Sequence, residues 1–258
     1  MFRGIVRLVF FTLFSFAVYG GTIVDIRNKN GRDSQFFSDD RMARLDTTDR
    51  KTYIIMDYAK QSVKVVMPDR LEVLDMSGEI PSLGFGGSAP DKTALRIEAE
   101  GDGPEIAGYR TQQYKLSRNG EFCGTVFASR QALEDTGTDQ TFSILRKVAD
   151  KLTNTIASLL FAINPCQRAM TNSLDKVTSI GAPLRGLDQN GKVDIEITRI
   201  QTNVGLPPDT FAIPNKYKVV TADQKMQQVE LKIRSGMRNL LKNPGMKKML
   251  DGLIKQQK

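Results

Sequence analysis

The sequence predicts an α+β protein: a curved antiparallel sheet with helices packed on its concave face, followed by a C-terminal helical tail. Three observations support this. Short runs of alternating apolar and polar residues occur before residue 128 and again after residue 180, as in half-buried strands. A helical apolar period separates the two groups of strands, and a basic helical pattern ends the chain. A helix inserted between strand groups packs most simply on the apolar face of a single sheet.

The chain begins with the pattern of a secretory signal. Arg3 and Arg7 precede an uncharged apolar run at residues 8–18. This run fits the ~7–15 residues of a signal h-region and is shorter than the ~20 residues of a membrane-spanning helix. An uncleaved anchor is the alternative, because the uncharged stretch continues to Val24. We expect residues 1–20 to be a signal peptide and the mature protein to be exported, periplasmic or secreted, and soluble after cleavage.

The net charge lies at the two ends of the chain. The sequence has 37 Lys+Arg, 29 Asp+Glu and no histidine, a formal charge of +8, of which residues 1–20 carry +2 and residues 221–258 carry +6. The remainder is neutral and lacks the basic field of a nucleic-acid binder, so no nucleic-acid partner is expected. Without histidine, Ser-His-Asp and Cys-His nucleophile systems and HExxH zinc sites are excluded. With no other catalytic motif, we expect a protein that is not an enzyme and has no cofactor or metal.

Strands and hairpins can be placed within the two strand groups. Apolar and polar residues alternate in Ser62–Met67, Thr93–Glu98 and Val193–Ile197. Asn119-Gly120 and Asn190-Gly191 lie between strand-like runs. Asn-Gly is favoured in type I′ turns because both central residues take positive φ, so each dipeptide predicts a β-hairpin.

A helical insert is predicted at about residues 138–178. Its apolar residues recur at steps of three or four, which places them on one face of a helix. Asn164-Pro165 ends this helix, because the residue before proline disfavours helical geometry. The residues of the face are Phe142, Leu145, Val148, Leu152, Ile156 and Leu159.

The two cysteines, Cys123 and Cys166, are predicted to form a disulfide. Export would place them in an oxidising compartment, where such a bond persists. Their spacing is not CxxC and no third cysteine or histidine is present, which argues against zinc or thioredoxin-like chemistry. Two buried free thiols are the alternative.

Eight strand-and-turn segments in both halves of the chain are similar to segments of a known protein family. They are Lys51–Val66, Ile106–Tyr114 (IAGYRTQQY), Asn119-Gly120, Gly124–Ser129, Gly181–Leu184, Val193–Ile200, Leu206–Phe211 and Ile213–Tyr217. Together, over about residues 22–220, they resemble a family of exported bacterial proteins of unknown function related to the LolA-type lipoprotein carriers. The resemblance implies a LolA-like half-barrel domain at residues 21–220, with helices over its concave side. In the carriers this shape holds acyl chains, and no functional residue transfers from the family.

An open curved sheet has an inner apolar face larger than its helices cover, which leaves a groove. We therefore predict a non-catalytic binding protein that holds a lipid, lipidated partner or other amphipathic ligand. For any one residue, a fully packed core is the alternative interpretation. The candidate groove residues are Val63, Val65, Leu95, Ile97, Val126, Phe142, Leu145, Val148, Leu152, Ile156, Ile195 and Ile197.

Residues 221–258 predict a basic amphipathic tail. Val229, Ile233, Met237 and Leu240 recur at helical spacing with basic residues between them. Such a helix can bind an anionic membrane surface or an acidic protein partner. It can equally dock on the domain by its apolar stripe. The alternative function is accordingly an envelope interaction module with a packed core and no ligand, and the candidate contacts are Lys232, Arg234, Arg238, Lys242, Lys247 and Lys248.

Overall fold

The computed structural model describes residues 20–47, 51–78, 95–153, 165–171 and 173–241. In this part of the chain, twelve strands form one sheet and five α-helices accompany it. The strands are β1 (Gly21–Asn28), β2 (Asp33–Ser38), β3 (Met42–Asp46), β4 (Tyr53–Asp57), β5 (Ser62–Met67), β6 (Glu72–Asp75), β7 (Arg96–Asp102), β8 (Gln112–Arg118), β9 (Glu121–Ser129), β10 (Ala182–Leu187), β11 (Val193–Val204) and β12 (Lys218–Thr221). The helices are α1 (Arg130–Thr136), α2 (Asp139–Thr153), α3 (Pro165–Thr171), α4 (Leu174–Ser179) and α5 (Ala222–Leu241), and a 3-10 turn covers Pro68–Arg70.

The sheet consists of two meanders joined at its centre. The strand order is β12-β6-β5-β4-β3-β2-β1-β11-β10-β9-β8-β7. Strands β1–β6 form one meander and β7–β11 the other, and the long pairing of β1 with β11 joins them. Among the described residues the outer strands β12 and β7 do not pair with each other, so the sheet is open.

The predicted fold class is wrong in two respects. The sheet is mixed rather than antiparallel, because β12 runs parallel to β6. The helices are a minor part of the described structure rather than a full layer on one face. The alternation of side chains identifies a strand but not whether it runs parallel or antiparallel to its neighbour. The direction of β12 depends on the connection at residues 205–217, which brings the chain to the edge of the sheet beside β6.

That connection is held on the sheet by an aromatic and ionic contact. Arg44 lies over the ring of Tyr53 at 4.2 Å, and its Nε is 2.6 Å from Oδ1 of Asp46. The same guanidinium donates a hydrogen bond of 3.0 Å to the carbonyl of Thr210. Apolar residues of the connection then cover a cluster on this side of β4–β6: Ile55, Val66 and Val73 pack against Phe211, Ile213 and Tyr217.

Both predicted Asn-Gly hairpins are present, with different turns. In Asn119-Gly120 both residues have positive φ, 50° and 84°, as a type I′ turn requires. In the β10–β11 hairpin only Gly191 has positive φ, so the type I′ prediction is wrong there. Instead, the carboxylate of Asp188 accepts hydrogen bonds from the backbone N–H groups of Asn190 and Lys192. These bonds hold the pKa of Asp188 below its ordinary value.

One face of the sheet is apolar along its width and carries two core clusters. Cluster 1 packs α2 on β1–β5, and cluster 2 packs α3 on β8 and β9. The buried members of cluster 1 are Val24, Phe36, Ala43, Met56, Val63, Met76, Ile144 and Ala222. Those of cluster 2 are Leu95, Tyr114, Leu116, Cys123, Val126, Ala128, Cys166 and Ala169.

The predicted disulfide is confirmed. Cys123 on β9 is bonded to Cys166 on α3, with 5.4 Å between the Cα atoms. Both residues are buried, so the bond fixes a two-turn helix onto the sheet at cluster 2.

The predicted signal peptide lies outside the described residues except for Gly20, which precedes β1. No helix in the described part of the chain has the length and apolar character needed to cross a membrane.

The junction of the two meanders contains a hydrogen-bonded carboxylate. The carboxylate of Asp25 on β1 accepts two hydrogen bonds. One, of 2.9 Å, comes from Nε2 of Gln35 on β2, and the other, of 2.6 Å, comes from Nε of Arg199 on β11. Burial alone would raise the pKa of Asp25, but these two hydrogen bonds and the positive charge of Arg199 outweigh it, so the pKa is lowered.

We predict that removing the disulfide lowers the free energy of unfolding. The bond joins residues 43 positions apart. Because a crosslink of that span lowers the conformational entropy of the unfolded chain, it should raise the free energy of unfolding by about 4 kcal/mol. Replacing both cysteines with serine should give a loss of that order by urea denaturation, and adding reductant to the wild type should reproduce it. A variant as stable as the oxidised wild type would contradict the structural role.

We predict that Asp25 contributes to acid sensitivity. Because its folded pKa is lowered, its contribution to stability is present above the unfolded value of about 3.9 and is lost as the pH falls through the folded pKa. In Asp25→Asn the free energy of unfolding should therefore fall less steeply below pH 4 than in the wild type. Asp33→Asn is the control, since that carboxylate makes a single exposed ion pair. Equal acid slopes for Asp25→Asn and the wild type would refute the prediction.

Candidate ligand-binding site

The structure distributes the candidate groove residues over several environments. Most lie in packed core: Val63, Leu95 and Val126 are buried, and Val65, Ile97, Leu145, Val148 and Ile197 pack against the clusters. Phe142 is half-buried. The side chain of Leu152 and all of Ile156 lie outside the described residues. Of the candidates whose side chains are described, Ile195 alone is exposed, at 46%.

The inward face of α2 includes Leu145 and Val148 of the predicted face, and it is centred nearer Ile144 than Phe142. Ile144 is 3% exposed in cluster 1, while Phe142 is half-buried. Thr141 is also buried, and its Oγ1 lies 2.7 Å from the hydroxyl of Tyr58 next to β4. Burial raises the pKa of Tyr58, so this hydroxyl is neutral at pH 7. The inward face therefore also carries a polar residue, which the apolar pattern of the sequence did not include.

The apolar face loses its side-chain cover only near the turn between β10 and β11, because Ala182 and Leu184 of β10 are buried in a third cluster with Ala132 of α1. In the register of the sheet, Val126 on β9 pairs with Gly186 on β10, and Gly186 pairs with Ile195 on β11. Val126 is buried in cluster 2, Gly186 has no side chain, and Ile195 is exposed. Because residues two apart on a strand share a face, Ile195 lies on the same face as Ile197, which packs against cluster 1. An uncovered patch therefore lies beside cluster 2 at the turn end of β10 and β11.

Gly186 gives this patch its shape. A Cβ atom built on Gly186 would lie 3.3 Å from Cγ2 of Ile195, with no other atom within 4 Å. The glycine thus leaves a shallow depression beside the isoleucine. Val193, 40% exposed, lies at the start of the same strand. It pairs with Leu187 across an irregularity in the register, so it shares the face of Leu187 and not that of Gly186. We call Gly186 and Ile195 the Ile195 strip.

Further exposed apolar residues lie near the disulfide that joins β9 and α3. Phe122 and Met170 are 37% and 38% exposed, and each is close in sequence to a disulfide cysteine. Nε2 of Gln189, in the β10–β11 turn, donates to the carbonyl of Phe122 at 3.2 Å and to Sγ of Cys166 at 3.4 Å. The turn that precedes the strip is therefore attached to the disulfide-linked corner of β9 and α3.

A polar cavity of about 430 Å³ lies where β7, β8 and β9 meet the start of α1. Sequence reasoning missed it, because its walls come from separate parts of the chain; the one available signal was Arg110 within the IAGYRTQQY segment. Its charged and amide groups belong to Asp102, Arg110, Gln112, Arg130 and Gln131, and Ile180 lies at its apolar edge. No group of three or more Cys, Asp or Glu placed to hold a metal ion occurs among the described residues.

The predicted tail contacts are described only in part. Helix α5 is attached at its start, where Ala222 is buried in cluster 1 and Lys225 Nζ lies 2.5 Å from Glu72 Oε1. Leu231 is 68% exposed and Lys232 is exposed. The side chains of Arg234 and Arg238, and all of Lys242, Lys247 and Lys248, lie outside the described residues. Binding of a membrane or an acidic partner by the tail stays a prediction.

No protein-family model matches the chain, and no curated protein matches it. Among solved structures, it is similar to crystal structures of MucB in complex with MucA(peri), of MucB, and of the Pseudomonas aeruginosa MucA/MucB complex, at 12%, 10% and 12% identity and a TM-score of 0.29 in each case. The matches cover 78% of this chain and 56%, 58% and 57% of the other chains, so it spans little more than half their length. This similarity is a distant resemblance of fold, and the proposals below depend on the residues of the chain itself. The resemblance to the LolA-type family stays a prediction.

We predict that the core depends on Ile144 more than on Phe142. Ile144→Ala should lower the free energy of unfolding by about 2–5 kcal/mol, the usual cost of a cavity at a buried aliphatic residue. Phe142→Ala should cost less, because its ring is only half-buried. Urea denaturation of the two variants measures the difference. A loss at Phe142 equal to or above that at Ile144 would contradict the observed helix orientation.

Proposed function

We propose that the protein is an exported, non-catalytic binding protein that holds the apolar part of a lipid or other amphipathic ligand on the Ile195 strip. The observation that carries this proposal is the exposure of Ile195 on an apolar face whose neighbouring regions are buried under helices. An isolated exposed isoleucine is ordinary, but Ile195 lies beside Gly186, which has no side chain, and its neighbours Val126 and Ile197 on the same face are packed in the core.

The strip suits an acyl chain better than a polar ligand. Strands β10 and β11 are central in the sheet and are paired on both sides, so their backbone N–H and C=O groups are used in the ladders. A ligand there meets aliphatic side chains and the smooth surface over Gly186. Each methylene it buries contributes about 0.8 kcal/mol, so ten would supply about 8 kcal/mol before the costs of ordering. Affinity in the micromolar range or weaker is expected.

Export and the absence of catalysis rest on other features. The signal pattern at residues 1–20 favours export, and the Cys123–Cys166 disulfide favours an oxidising compartment such as the periplasm. The lack of histidine and of a catalytic motif favours binding over catalysis.

We predict that Ile195→Asp lowers the affinity for a fluorescent fatty acid, cis-parinaric acid, at least tenfold. A carboxylate at this position would have to be desolvated beneath the acyl chain. Val219→Asp is the matched control, because Val219 is a comparably exposed aliphatic residue (55%) on the edge strand β12. Both variants should keep the wild-type melting temperature, since both positions are exposed.

The measurement is a fluorescence titration of the wild type and both variants. Selective loss in Ile195→Asp is the expected result. Absence of saturable binding in the wild type would overturn the proposed ligand class, and equal affinities in the two variants would overturn the location.

A further inference from the structure

The polar cavity contains two arginine side chains without protein partners. Arg110 and Arg130 both line it, and within the described part of the chain neither guanidinium makes an ion pair or hydrogen bond. The arginines along the β-sheet differ: Arg44, Arg185 and Arg199 each pair with a carboxylate. Both arginines are exposed to solvent. Two unpaired guanidinium groups that line one cavity form a recognition element for an oxyanion, which they can bind through paired N–H donors.

The backbone that carries Arg110 is fixed. It follows a tight turn, Ile106–Tyr109, whose central residues have φ of 51° and 85° and whose ends exchange two backbone hydrogen bonds of 3.0 Å. Ile106 is 3% exposed and anchors the turn in the core. On the other side, Thr111 is buried and its hydroxyl donates to the carbonyl of Pro104 at 2.6 Å. Arg110 therefore extends from a rigid loop, which lowers the entropic cost of binding.

The backbone of the second arginine and the side chain of one amide are also held in place. Arg130 is the first residue of α1, directly after the buried cap Ser129, whose Oγ accepts the backbone N–H of Ala132 at 3.3 Å. Oε1 of Gln112 accepts the hydroxyl of Tyr114 at 2.7 Å. The amide nitrogen of Gln112 is then the group left to donate to a ligand.

Asp102 adds a group of opposite charge. Asp102 on β7, Gln112 on β8 and Ala128 on β9 pair in one row across the sheet. With strands ~4.8 Å apart, Asp102 lies about 10 Å from Ala128, on the opposite side of the cavity floor. The two arginines and this carboxylate give the cavity a formal charge of +1. A ligand of net charge near −1 with both an anionic and a cationic group would match it.

We propose that this cavity binds a small phosphate monoester bearing a primary ammonium group. The phosphate is bound by Arg110, Arg130 and the amide of Gln112, and the ammonium donates to Asp102. A phosphate monoester presents three terminal oxygens and a charge of about −1.5 to −2, which suits two guanidinium groups better than a single carboxylate does. The volume of about 430 Å³ is within the ~300–1,000 Å³ usual for small-molecule sites. This site is independent of the Ile195 strip.

Isothermal titration of the full chain with O-phosphoethanolamine, phosphocholine and inorganic phosphate tests the proposal. O-phosphoethanolamine should bind most tightly, because phosphocholine has no N–H donor and inorganic phosphate has no cationic group. Arg110→Gln and Arg130→Gln should each weaken this binding at least tenfold. Asp102→Asn should weaken O-phosphoethanolamine severalfold and leave inorganic phosphate unchanged or tighter.

Arg70→Gln is the matched control, an exposed arginine in the 3-10 turn between β5 and β6, and it should bind as the wild type does. Failure of all three compounds to bind at millimolar concentration would overturn the proposal. Binding equal in Arg110→Gln, Arg130→Gln and Arg70→Gln would overturn the location. Equal affinity for the three compounds would overturn the role of Asp102. Tighter binding of the diester dihexanoyl-phosphatidylethanolamine than of O-phosphoethanolamine would overturn the monoester as ligand and indicate a lipid headgroup instead.

Discussion

The rest of the structure depends on a mismatch between the width of the sheet and the size of its helices. Neighbouring strands are ~4.8 Å apart, so twelve strands extend over roughly 50 Å, whereas a helix with its side chains is ~10 Å wide. Helices α2, α3 and α4 have 15, 7 and 6 residues. Together with α1 they cover most of the apolar face, including the start of β10, and leave Ile195 exposed near the β10–β11 turn.

Two of the covering helices are attached by a specific contact in addition to apolar packing. Helix α2 is attached through Ile144 and the Tyr58–Thr141 hydrogen bond, and α3 through the Cys123–Cys166 disulfide. On the other face, the contact of Arg44 with Thr210 holds the connection that delivers β12 to the sheet edge. These attachments determine where the apolar face stays open, and the proposed ligand site follows from them.

Sequence reasoning succeeded where the signal is local. Alternation in Ser62–Met67 coincides with β5, and Asn119-Gly120 forms the expected turn, because both depend on neighbouring residues. The disulfide could be predicted because the sequence contains only two cysteines and begins with a pattern that indicates export. It failed where distant segments meet: the parallel β12–β6 pair, and the cavity that Arg110 and Arg130 share. On α2 the apolar pattern placed Leu145 and Val148 correctly but omitted Ile144 and the buried, hydrogen-bonded Thr141.

The central claim is that Ile195 lies on an open strip while its neighbours on the same face are covered. Solvent paramagnetic relaxation enhancement of isoleucine methyl groups, measured by NMR on the full chain without ligand, tests it most directly. The account predicts a large enhancement for Ile195 and small enhancements for the buried Ile144 and Ile55. An Ile195 methyl group as protected as that of Ile144 would show that the strip is covered, and it would contradict the account.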